Sequence, residues 1–149
     1  MSKSASYETS ILKLLFNATA ITNVADNAAA PLTALSVALH TSDPGETGTQ
    51  GTAEGGYAAY ARVVTTRSTV GWVVTSGTTS AAASVSPVAT VSFPACATTT
   101  TGTFTHMSIG ASSNSTAGVI YYSGTVTPNI NFGSGITPQL TTASSATED

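Results

Sequence analysis

The hydrophobic period of this chain changes at Leu32, and that change limits the folds open to it. Before Leu32 apolar residues recur about every fourth position; after it they alternate. Tyr7, Ile11 and Leu15 lie four apart, and Leu12 and Phe16 form a second row beside them. The spacing predicts one helix over residues 7–16 with an apolar stripe. Ser6 is expected to cap it, and Glu8 falls in the first turn, where a carboxylate suits the helix dipole. Asn17-Ala18-Thr19 ends it, and residues 21–31 read as a connection.

Beyond Leu32 the pattern is that of strands. Leu35, Val37 and Leu39 alternate with Ala34, Ser36, Ala38 and His40. Residues 60–66 and 71–74 read as a hairpin pair, and 88–93 alternates until Pro94. On the next strand Thr103, Thr105, Met107 and Ile109 share one face, while Phe104, His106 and Ser108 share the other. Strands at 119–123 and 124–127 stop before Pro128, and 130–142 holds one or two more. Between them lie a long loop at 41–56 opening with Asp43-Pro44-Gly45, a small polar stretch at 76–86, a Ser/Asn turn region at 111–118 and a polar tail at 143–149. Short strands with regular turn signals predict a mainly β protein of the sandwich or barrel kind. Strand count alone does not choose among a jelly roll, an immunoglobulin-like sandwich and a barrel. The length favours a single domain over 1–149, with 1–31 as helix and connection, 32–142 as the β-sandwich and 143–149 as the tail.

Composition matters here for what it excludes. Only 7% of the residues are charged and the net charge is −3, against about 25% in an ordinary domain. Ser and Thr make up 48 of the 149 residues, so the polarity is nearly all hydroxyl. Lys3, Lys13, Arg62 and Arg67 are scattered, which argues against nucleic acid and anionic membranes as partners. No apolar run approaches the ~20 residues of a membrane span. Lys13 splits the apolar stretch 11–16, so no signal peptide is expected. One cysteine, Cys96, excludes an intramolecular disulfide framework.

Chemistry is hard to find in the pattern. His40, His106 and Cys96 are too far apart for a zinc site. Asp43, Glu46 and Glu54 share a loop but lack a calcium-loop pattern, and read as a solvated acidic loop. There is no Gly-x-Ser-x-Gly elbow or phosphate-binding glycine loop. Cys96 has no basic neighbour to activate it. Paired carboxylates would have to come from that acidic loop, from Asp26 or from the termini. The sequons at Asn17 and Asn114 are expected by chance in a Thr-rich chain. Trp72, Tyr57, Tyr60, Tyr121 and Tyr122 could stack on sugars, but read first as core and core-edge residues. No enzymatic activity, metal or cofactor is expected.

One resemblance stands out. Leu39-His40-Thr41-Ser42-Asp43-Pro44-Gly45-Glu46-Thr47-Gly48-Thr49-Gln50 is followed by Tyr57-Ala58-Ala59-Tyr60-Ala61-Arg62-Val63 and Gly71-Trp72. Then come Phe93-Pro94-Ala95-Cys96, Thr105-His106-Met107-Ser108-Ile109-Gly110 and Tyr122-Ser123-Gly124. Over residues 11–138 this order resembles small structural proteins of tailed bacteriophages. They are often labelled tail-fibre proteins, and some resemble capsid cement (decoration) proteins. The resemblance implies a jelly-roll-like β-sandwich with one N-terminal helix and a place on the virion, after synthesis in the bacterial cytoplasm. The expectation is a cement protein on the capsid surface, binding the major capsid protein and itself as a dimer or trimer. The alternative is a tail or fibre component with receptor or glycan binding. Under the first reading the contacts are Tyr7, Ile11 and Leu15 on the helix and Asp43, Pro44, Glu46 and Glu54 on the loop.

Overall fold

The computed structural model describes residues 3–21, 24–25, 31–78 and 81–148. Asp26 and part of the expected connection at 21–31 lie outside them. The architecture is mainly β, with one helix and antiparallel sheets, in keeping with a β-sandwich. The chain divides into two compact units, each assembled from separated segments.

The first unit comprises Met1–Thr33, Thr66–Thr90 and Thr141–Asp149. Its helix α1 runs Ala5–Asn17 and is capped by Ser4, whose side chain accepts from the Tyr7 N–H. Ser6, the expected cap, lies inside the first turn and its carbonyl accepts from the Ser10 hydroxyl. Ala18, with φ 53°, closes the C-terminus. Of the two apolar rows, Leu12 and Phe16 are fully buried, and the ring of Phe16 meets Trp72 edge-on at 5.0 Å. Tyr7, Ile11 and Leu15 stay at the rim, and Tyr7 is 46% exposed.

The helix has no basic residue in its last turn; Arg67 supplies the cation from far along the chain. Its guanidinium donates to the Leu14 and Leu15 carbonyls, at 2.6 Å for Leu15, and to Leu32 at 3.1 Å. The Leu14 and Leu15 groups are end-of-helix carbonyls with no partner inside the helix. The helix packs on β3 (Trp72–Thr75) and β4 (Ala83–Pro87).

Here the structure corrects the expected hairpin. β3 pairs with β4 and not with residues 60–66, in the register Trp72↔Pro87 to Thr75↔Ser84. Residues 83–87 carry so few large side chains that they do not read as a strand. Their burial nonetheless alternates, with Ala83 and Val85 facing inward. The polar tail also contributes a strand, β9 (Ala146–Glu148), which pairs with β4 through Ala83↔Glu148. Lys3 bonds Glu148 at 2.5 Å.

The second unit comprises Ala34–Thr65 and Val91–Leu140. It holds β1 (Ala34–His40), β5 (Val91–Ser92), β6 (Gly102–Gly110), β7 (Ile120–Phe132) and β8 (Gln139–Leu140). With β2 (Val63–Thr66), β1, β6 and β7 make a sheet in the order β2-β1-β6-β7; β5 and β8 pair separately. β1 is buried on both faces beyond Ala34. The core is aromatic: Tyr57, Tyr60, Phe93, Phe104 and Phe132 form a connected set with ring centroids 4.7–6.4 Å apart. Gly56 and Gly102 leave room for Phe132, since a Cβ on either would fall within about 2.5 Å of its ring.

The two strands expected before Pro128 are one strand, β7, that runs through it. Pro128 falls between Thr125 and Ile130, where the ladder with β6 is interrupted, so no ladder donor is needed at that point. The ladder with β6 shifts twice. Phe104↔Ile130 is followed by His106↔Thr125, and Ile109↔Tyr122 by Gly110↔Ile120. These irregularities break up an otherwise uncharged edge, which discourages sheet-to-sheet aggregation.

Candidate functional site

The most elaborately built part of the second unit is the pair of loops 41–56 and 111–118. The first loop opens with a tight turn. The Gly45 N–H donates to Asp43 Oδ1 at 2.9 Å, and Gly48 lies so close to Pro44 that a Cβ there would sit 1.9 Å from its carbonyl oxygen. The loop then runs back along β1, with the Thr41 N–H on Ala53 O and the Gly55 N–H on Leu39 O.

Buried polar side chains fasten it. Gln50 is fully buried: its amide donates to Ser36 O at 3.1 Å and accepts from the Ser112 N–H at 3.0 Å. Its own N–H donates to Gly118 O at 2.8 Å, and the Thr49 hydroxyl to Thr116 O at 2.6 Å. Gly110 and Gly118 make the space, because a Cβ on either would strike the Gln50 side chain. Arg62 makes the strongest tie. Nε and Nη2 donate to the two oxygens of Glu54 at 2.5 and 2.6 Å, and Nη1 donates to Ser112 O and Ser115 O at 2.8 and 3.0 Å. Such a two-pronged pair fixes geometry as well as charge.

His40 lies beneath the loop, fully buried. Its Nδ1 contacts the Thr52 carbonyl and its Nε2 the Ser108 hydroxyl, both at 2.8 Å. A carbonyl only accepts, so Nδ1 carries the proton and Nε2 accepts from Ser108. Burial pulls the His40 pKa below the usual histidine value, more than the Thr52 carbonyl and Glu54 raise it. A serine bonded to a histidine has the outline of a nucleophile and its base. Here Ser108 is fully buried as well, so the pair works as a polar fastening in the sheet.

The expected contact residues fall in two places. Tyr7, Ile11 and Leu15 lie along the rim of α1, in the first unit. Asp43 and Glu46 are exposed on the 41–56 loop, but Pro44 is buried in its turn and Glu54 is taken up by Arg62. The three carboxylates of the loop therefore serve different ends, and no group of three His, Cys, Asp or Glu side chains converges among the described residues. Cys96 is buried, its thiol within 3.5 Å of Thr98 O.

The aromatics are mostly internal. Trp72 is core, the Tyr57 hydroxyl donates to Pro94 O at 2.5 Å, and the Tyr60 hydroxyl accepts the Leu39 N–H at 2.8 Å. Burial pushes both tyrosine pKa values up. Tyr121, at the ladder shift in β7, is 38% exposed.

Gln50, Arg62 and Arg67 were not among the residues singled out from sequence. The available signal was scarcity. In a chain with four basic residues, an arginine beside apolar residues is more economically explained as a fastening than as decoration. No helix among the described residues is long and apolar enough to cross a membrane. A family model described as Podophage GP4 fiber I protein gp80 matches residues 2–146. No curated protein matches the chain.

Proposed function

The chain belongs to the Podophage GP4 fiber I protein gp80 family, and on that footing we propose that it is a structural subunit of a bacteriophage fibre that makes contacts and carries out no chemistry. The family match over residues 2–146 carries this reading, and a virion structural role follows from it directly. The fibre assignment is the finer step. It is supported by the way the chain spends its polar groups. Arg62, Glu54, Gln50, His40 and Ser108 are consumed in holding two loops. That suits a part that must keep its shape under load.

What remains at the surface is largely hydroxyl and small apolar side chains. Such a surface meets a partner with few ions to desolvate. The proposed contacts are the α1 rim of Tyr7, Ile11 and Leu15 and the exposed loop carboxylates Asp43 and Glu46. The partners are further copies of the chain and neighbouring virion proteins.

Capsid decoration, with the major capsid protein as partner, is the second reading. The same sparsely charged surface favours it, because a lattice contact needs the same economy of desolvation. Location separates the two. Labelling of purified virions, with copy number from quantitative mass spectrometry, is expected to put the protein at the tail in few copies. High copy number spread over the icosahedral shell would move the assignment to decoration. Binding of the purified chain to host glycans would add receptor recognition to the fibre role.

A further inference from the structure

We propose that the facing imidazoles of His40 and His106 form an acid-sensitive latch on the 41–56 loop. His40 and His106 are directly opposed in the β1–β6 ladder, which puts their side chains on one face of the sheet. His40 holds the far part of the loop through Nδ1–H to Thr52 O at 2.8 Å. His106 Nδ1 is 2.9 Å from the Thr105 hydroxyl, and that hydroxyl donates to Thr41 O at 3.1 Å. His106 Nδ1 therefore donates to Thr105, and both ends of the loop are tied back to the two rings.

The latch depends on a neutral His40. In that state Nδ1 donates and Nε2 accepts from Ser108, so every polar atom of the ring and the hydroxyl is satisfied. A second ring proton would face Nε2–H against the Ser108 oxygen and strand the serine's own proton in the core. It would also place a buried cation opposite His106 and near Arg62, with Glu54 the acidic group that acts on it among the described residues. Tyr60, whose hydroxyl accepts from the Leu39 N–H, stays uncharged across this range, since its ordinary value of 10.0 already lies above it and burial raises it further.

The direction of the pH effect follows. A histidine held below its ordinary value binds its proton more readily in the released loop than in the latched one. The latch is at full strength above the ordinary value of 6.5. It weakens as pH falls from there towards the lowered value of the buried ring, and levels off below that. One proton changes the opening equilibrium by at most about tenfold per pH unit in that window.

Amide hydrogen exchange on the full chain between pH 7.5 and 4.5, corrected for intrinsic rates and read together with an NMR titration of both imidazoles, tests this. Protection at the Gln50 and Gly55 amides should fall by up to about tenfold per pH unit below about 6.5. The Trp72 and Val88 amides should hold theirs. His106→Gln removes the opposing ring and should move the His40 titration towards its ordinary value, giving a smaller total loss. Flat loop protection down to pH 4.5, a fall at all four amides together, or a His106→Gln profile identical to the wild type would each overturn the latch.

Discussion

The two units solve the same problem with different materials. The first sets one amphipathic helix on a three-stranded sheet, and its centre is apolar: Leu12, Phe16, Trp72, Ala83 and Val85. Its polar work is done at the helix ends by Ser4 and Arg67 and, on the buried face, by Thr9, whose hydroxyl accepts the Gly77 N–H at 3.0 Å. The second has a comparable aromatic core, but it also carries two long loops that no hydrophobic stripe organises. It holds them with buried polar side chains. The difference teaches where each kind of interaction is needed. Burial of apolar area is non-directional and suits regular elements. A loop needs directional bonds to set its path, and these cost dearly when one partner is removed.

That contrast can be broken at either end. The largest effect is expected from Phe104→Ala, which empties the centre of the aromatic set. Urea unfolding should show a loss of about 3–5 kcal/mol, and Phe16→Ala should do similar damage in the first unit. Arg62→Met comes next. It leaves Glu54 half-buried without its partner and takes the Arg62 donor from the Ser112 and Ser115 carbonyls, of which Ser115 keeps the Gly118 N–H, a cost of about 2–4 kcal/mol. Proteolysis should then cut first within 41–56 or 111–118. If cleavage starts elsewhere, the loops are not held by this pair.

Gln50→Leu keeps the volume but orphans the Ser112 N–H and Ser36 carbonyl, and should cost about 1–3 kcal/mol. A neutral result would mean water replaces both bonds. The smallest effect belongs to Ser4→Ala, about 1 kcal/mol from the lost cap. Ser6→Ala should do less, and that order distinguishes the observed cap from the one expected from sequence.

Much of the first unit was legible, but not all. The helix could be read because its period is strong over two apolar rows. Which row is buried could not, since Tyr7, Ile11 and Leu15 are as apolar as Leu12 and Phe16; only the position of Trp72 on β3 separates them. β4 was missed because Ala83-Ser84-Val85-Ser86 carries little hydrophobic signal, and β9 because a polar tail gives none. In the second unit β1 and β6 could be read from strict alternation. β7 was split at Pro128 because a proline stops a strand whose ladder donor is needed, and sequence does not say that the ladder with β6 is interrupted there.

The expected contact site was legible as a loop but not as individual residues. Asp43, Glu46 and Glu54 look alike in sequence, yet Glu54 becomes internal once Arg62 approaches from eight residues away. Pro44 reads as a turn and contact residue, yet its side chain is buried.

Local periodicity and composition by themselves determined the class of this protein: one helix, then strands, with hydroxyls in place of charges. Those properties reside in neighbouring residues and in their spacing, so no fold is needed to see them. Tertiary structure decided which strands pair, which helix row faces inward and which few polar side chains are withdrawn from water. Each of those depends on residues distant in the chain, such as His40 with Ser108 and Arg67 with Leu15, whose interaction exists only once the backbone has brought them together.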